Sequence, residues 1–102
     1  MFYTHAPAAI ILYDLTKKDS LTNLNKWCQE IRKSTKNIPI LLVGNKCDLP
    51  EQRDVSADYV SQLKEQYSLT RTLEISAKTG THVEEMFIEL IKLMINNCKT
   101  KL

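Results

Sequence analysis

Ile38-Pro39-Ile40-Leu41-Leu42-Val43-Gly44-Asn45-Lys46-Cys47-Asp48-Leu49 is the stretch on which the reading of this chain turns. Ile38 to Val43 is a continuous apolar run, the pattern of a strand covered on both faces, because a strand with one wet face alternates polar and apolar residues. Ala8 to Tyr13 (AAIILY) reads the same way. Between the two runs Leu21, Leu24, Trp27 or Cys28, and Ile31 recur at helical spacing, with Asp19 or Ser20 as the N-cap and Pro39 beyond the far end. The unit then repeats. Val60, Leu63 and Tyr67 form a stripe after Ser56, Thr72 to Ile75 forms a short strand, and a last helix follows. Thr81 and Glu84 have capping-box spacing, and Val83, Met86, Phe87, Leu90, Ile91 and Met94 line one face behind them.

The fold expected is α/β, in the order βαβαβα: three parallel strands with right-handed crossovers and three helices on the sheet faces. With 102 residues, the common size of one domain, residues 1–102 are read as a single domain. Ligands of such sheets sit outside the carboxyl ends of the strands. Three segments leave those ends: Asp14 to Lys18, Gly44 to Leu49, and Ser76 to Gly80. The second and third carry recognisable chemistry.

Composition excludes several classes. A hydrophobic share of 43% with 25% charged residues is globular rather than disordered or fibrous. A formal charge of +2 without clustered Lys and Arg implies no nucleic-acid partner. Cys28, Cys47 and Cys98 are widely spaced and contain no CxxC pair, which suggests neither a disulfide framework nor zinc and points to a cytoplasmic setting. Met1 to Tyr13 has no Lys or Arg before its short apolar run, which Pro7 and Asp14 bound, so it is not read as a signal peptide, and no stretch reaches the ~20 apolar residues of a membrane helix.

The types in Gly44 to Leu49 suit one base. The Asp48 carboxylate accepts two parallel hydrogen bonds, which matches the N1–H and exocyclic amino group of guanine and nothing on adenine. Lys46 has an aliphatic stem to lay along a purine face, and Asn45, both donor and acceptor, suits tying neighbouring loops together. Ser76-Ala77-Lys78 leaves the next strand on the same sheet edge; the Ala77 N–H is a donor for guanine O6, and the Lys78 stem can cover the ring. A solvated turn is the bland alternative for Gly44 to Leu49, and the force of Ser76-Ala77-Lys78 comes from its position on the same sheet edge.

Phe2-Tyr3-Thr4-His5-Ala6, Ile11-Leu12-Tyr13-Asp14-Leu15-Thr16, Trp27, the GNKCDL run, Arg53 with Val55, and Glu74-Ile75-Ser76-Ala77-Lys78 together resemble the Rab branch of Ras-like GTPases over almost the whole chain. The resemblance implies a partial P-loop GTPase fold and guanine recognition by Asn45, Lys46, Asp48, Ser76, Ala77 and Lys78. It also implies that Met1 to Ala6 is the tail end of the second switch region, which effectors and regulators contact. In the complete family domain GTP or GDP is held with Mg2+, but this sequence has no GxxxxGK[ST] loop, since Gly44 and Gly80 are its only glycines. It also lacks the first switch and the DxxG segment, so it supplies no magnesium ligand and no catalytic residue, and whether it is an enzyme stays open.

Two readings follow. The chain is the C-terminal half of a switch in vesicle-mediated and intracellular protein transport, placed on the cytosolic face of endomembranes; or it is a non-catalytic interaction module, or truncated product, that does not cycle on GTP. Cys98 stands five residues from the end, so CKTKL is no prenylation motif. As a half domain the chain is expected to leave an apolar edge along Ala8 to Tyr13. Trp27, Met86, Phe87 and Met94 are read as core. His5 and His82 are read as cap or surface residues, Cys98 as a free thiol or acylation site, and Lys92, Lys99 and Lys101 as a solvated end.

Overall fold

The computed structural model describes residues 2–5, 8–34 and 37–100, with side chains described for 8–33 and 37–96. Strands β1 (Phe2–His5), β2 (Ala8–Asp14), β3 (Ile40–Asn45) and β4 (Arg71–Glu74) lie in that order in one sheet. Helices α1 (Leu24–Ser34), α2 (Ala57–Gln66) and α3 (Val83–Thr100) cover it, and short 3-10 turns occupy Lys18–Leu21 and Pro50–Gln52. β2, β3 and β4 are parallel, with Ala9 opposite Ile40, Asp14 opposite Asn45, and Gly44 opposite Glu74. That is the expected arrangement of three parallel strands and three helices.

β1 is an addition to it. This strand pairs antiparallel with β2 from Phe2 opposite Ile11 to His5 opposite Ala8, so the β2 edge expected to lie open is hydrogen-bonded over four residues. Met1, Ala6 and Lys101 fall outside the described residues, as do the side chains of His5, Cys98 and Lys99.

Several boundaries move for local reasons. β3 starts after Pro39, which has no N–H to give the ladder, although its carbonyl accepts the Ala9 N–H at 3.0 Å. It then runs on through Gly44 and Asn45, so the GNKCDL segment begins inside a strand. Gly44 is required there by a close approach: an added Cβ would lie 2.6 Å from Tyr13 Cζ and Oη and 2.9 Å from Leu15 Cγ. Asp19 and Ser20 do not cap α1; they sit in the 3-10 turn, where Ser20 Oγ donates to the Lys17 carbonyl at 2.7 Å, and α1 begins at Leu24. Ser56 does cap α2, its Oγ accepting the Tyr59 N–H at 3.1 Å. Thr81 faces Thr79, hydroxyl to hydroxyl at 2.7 Å, and the first turn of α3 opens instead on the His82 carbonyl, which accepts the Met86 N–H at 3.0 Å.

Strand alternation sorts the core into two layers. Ile11, Tyr13, Ile40 and Leu42 face α1 and α2 and pack with Cys28 and Leu63; Ile10, Leu41, Val43 and Ile75 face α3 and pack with Met86. Trp27 is partly buried on the first layer. On α3 the expected stripe is corrected: Val83, Met86, Leu90 and Leu93 turn to the sheet, whereas Phe87 and Ile91 are each 54% exposed and Ile88 and Ile95 are exposed with them. One residue along a helix is about 100° around it, so Phe87 and Ile91 point well aside from Met86 and Leu90.

Candidate nucleotide-base site

Where β3 and β4 end, the backbone joins the two candidate loops before any side chain acts. Gly44 O accepts the Ile75 N–H at 2.7 Å, and Ile75 O accepts the Cys47 N–H at 3.0 Å. Asn45 Oδ1 accepts two backbone N–H groups, Lys46 at 2.7 Å and Ala77 at 3.0 Å, which fastens the 44–49 loop to the 76–78 loop. Ser76, fully buried, accepts the Thr79 N–H on its Oγ at 3.1 Å and donates its hydroxyl proton to Asp48 Oδ1 at 2.7 Å. Asp48 Oδ1, an acceptor only, takes the Ser76 proton, and this bond aims the carboxylate. A carboxylate has about four lone-pair sites, so the Ser76 bond leaves Asp48 able to receive a bidentate donor pair.

Arg53 braces the far side of the loop. Its Nη1 donates to Glu74 Oε1 at 2.7 Å and its Nε to the Val55 carbonyl at 2.6 Å, so residues 53–55 are held against β4. Burial, with the Asp48 and Glu74 carboxylates nearby, pushes the Cys47 thiol pKa up, which keeps it protonated and a poor nucleophile.

Lys46 behaves differently from the other loop residues. Its φ of 76° is left-handed, a conformation rare for a lysine. Its ammonium pairs with Asp14 Oδ2 at 2.9 Å, while Asp14 Oδ1 accepts both the N–H of Thr16 at 2.9 Å and its hydroxyl at 2.7 Å. Partial burial alone would raise the Asp14 pKa, but the hydrogen bonds from Lys46 and Thr16 and the Lys46 charge outweigh it and hold the carboxyl at about 2. A cavity of about 430 Å³ opens here, lined by Leu12, Tyr13, Asp14, Ser20, Asn45 and Lys46. A larger crevice, about 620 Å³, lies between α1 and Tyr67, away from both loops.

Of the six residues singled out in the sequence, Asn45, Asp48, Ser76 and Ala77 are drawn together by direct hydrogen bonds. Lys46 is tied to them through its backbone and sends its ammonium to Asp14. Lys78 is exposed and makes no hydrogen bond or ion pair to the other five among the described residues. The Ala77 N–H is engaged by Asn45, so it reaches a base oxygen only by sharing or releasing that partner. Asp14 and Thr16 were not assigned chemistry from the sequence. The signal available was the Asp-Leu-Thr spacing at the end of β2, which lets one side chain accept from the backbone two residues on. Among the described residues no three or more His, Cys, Asp or Glu side chains group so as to hold a metal ion.

Comparison with known proteins gives the family of this arrangement. The model of the Ras family matches residues 1–96. Ras-related protein Rab-19 of Homo sapiens is 42% identical over 95 residues, 92% of this chain and 44% of that protein. Putative ras-related protein Rab-5B of Dictyostelium discoideum is 36% identical over 97% of this chain and 46% of its own length, and Ras-related protein Rab5 of Nicotiana tabacum is 42% identical over 90% and 46%. The chain thus spans less than half the length of these relatives.

Proposed function

This chain belongs to the Ras family, as a Rab-like member, and from that premise we propose that its 44–49 and 76–78 loops are the guanine-recognising part of a nucleotide site. Asp48 receives the N1–H and amino group of the base, Ser76 aims Asp48, and Asn45 locks the loops in register. Lys46 lays its stem along one ring face, and Ala77 and Lys78 approach from the other loop. The observation that carries this reading is the 2.7 Å hydrogen bond from buried Ser76 to Asp48, which orients an acceptor pair at the carboxyl edge of the sheet.

The whole protein, at the length of its relatives, is proposed to be a GTP-binding switch in vesicle-mediated and intracellular protein transport. It would be cytoplasmic, would meet effectors and regulators, and would act at the cytosolic face of endomembranes. Residues 1–102 are one partial domain of it, and phosphate and magnesium ligands belong to the part of the relatives this chain does not match. At about −0.3 kcal/mol per heavy atom, the ~20 atoms of guanosine give this chain roughly −6 kcal/mol, tens of micromolar at best.

Asp48→Asn tests the assignment. Xanthine carries an oxygen where guanine has its amino group, and Asn offers one acceptor and one donor where Asp offers two acceptors. Competition between guanosine and xanthosine should therefore shift by at least about tenfold towards xanthosine, the size of one unmatched polar contact. An unchanged ratio would remove Asp48 from base recognition.

A further inference from the structure

We propose that Asp14 is a positioning residue of the base site: clamped by Thr16, it holds the Lys46 ammonium so that the lysine stem is presented to the purine while its charge is matched within the protein. The inference rests on the guanine reading of the 44–49 loop and adds a third strand end to it. A lysine stem is four carbons long and flexible, so a wall for a base exists only if both of its ends are held. The backbone end is held by the Lys46 N–H on Asn45 Oδ1 at 2.7 Å, in a left-handed conformation that β3 cannot continue past. The ammonium end is held by Asp14 at 2.9 Å.

Asp14 is itself prepared for that role. It is the direct register partner of Asn45 across β2 and β3, so the strand pairing sets the span that Lys46 must bridge. Its Oδ1 takes both Thr16 donors and its own N–H donates to Ser20 Oγ at 2.9 Å, which leaves Oδ2 facing Lys46. The Lys46 and Thr16 bonds overcome its desolvation and hold the carboxyl pKa down at about 2, so Asp14 stays ionised at neutral pH. Lys46 nevertheless keeps 44% of its side chain exposed, against 20% for Asp14. Lys46, with Asp14 and Asn45, lines a cavity of about 430 Å³, so the pinned side chain borders open space on which a planar ring could lie.

The test uses the full chain and titrations with guanosine, with backbone amide spectra to verify folding. Asp14→Asn should weaken guanosine binding about two- to fivefold, the range of a partly exposed ion pair. Lys46→Met keeps an apolar stem without the charge, and in that background Asp14→Asn should have no further effect. Thr16→Val, which removes one clamp, should give a smaller loss in the same direction and carries the test if Asp14→Asn does not fold. Equal losses with Lys46 and with Met at position 46 would make Asp14 merely structural and overturn the proposal, as would unchanged binding in Asp14→Asn and Thr16→Val. Failure of the unsubstituted chain to prefer guanosine over adenosine would instead overturn the guanine reading, and this inference with it.

Discussion

On one face of the sheet α1 and α2 close together over Ile11, Tyr13, Ile40 and Leu42; on the other, α3 alone lies over Ile10, Leu41 and Val43. The first face holds the larger cluster and draws in loop residues such as Leu15 and Val55, both almost fully buried. The second ends in solvent on the flanks of α3, where Phe87, Ile88, Ile91 and Ile95 remain exposed. The strands feeding both faces are equally apolar, so the difference lies in what covers them. A helix buries a stripe only as wide as its contacts, so two helices with the loop residues between them cover more of a sheet face than one helix can.

Ile11 and Met86 measure that contrast most directly. Ile11→Ala, at a fully buried position between β2 and the two-helix layer, should cost about 3 to 5 kcal/mol in urea unfolding. Met86→Ala, at the centre of the α3 layer but near its wet flank, should cost about 2 kcal/mol. Equal losses would mean that the two layers are equally tight and would break the comparison.

Gly44→Ala probes the tighter face from the backbone side. Its new Cβ would meet Tyr13 and Leu15 well inside van der Waals contact, so a loss of about 1 to 3 kcal/mol is expected, with the base-site loop displaced because Gly44 O holds Ile75. An unfolding midpoint equal to that of the unsubstituted chain would show that the Tyr13 ring can turn aside and that this layer is looser than drawn.

The smallest effect belongs to the open flank. Phe87→Ser with Ile91→Ser should change unfolding free energy by no more than about 0.5 kcal/mol each, because both side chains are already 54% exposed, and should raise the concentration at which the chain stays monomeric in sedimentation. A loss of more than about 2 kcal/mol would mean that these residues are core after all.

Much of the candidate site is legible along the chain, since Asp48, Asn45 and Ser76 are polar side chains with evident donor and acceptor chemistry just beyond apolar runs, and the structure ties them together through Ser76–Asp48 and Asn45–Ala77 hydrogen bonds. Lys46 is legible along the chain as a long aliphatic stem just beyond an apolar run, but its partner is not, because Asp14 is 32 positions away in sequence and becomes adjacent only when β2 and β3 pair in register. The Ala77 N–H shows the reverse case. Its donor chemistry is evident from any peptide unit, yet its engagement by Asn45 exists only once the two loops are brought together.

Apolar continuity and helical spacing alone determined the three parallel strands, the three helices and the strand ends where the candidate loops leave the sheet, because those patterns report which side chains must leave water. Tertiary structure alone decided the β1 pairing on the β2 edge, the exposure of Phe87 and Ile91, the need for glycine at 44 against Tyr13, and the Asp14–Lys46 pair. Each of these depends on a neighbour distant in sequence or on the angle at which a helix settles. Local periodicity carries the propensity of a residue to be buried, but the partner that buries it is set by how the whole chain packs.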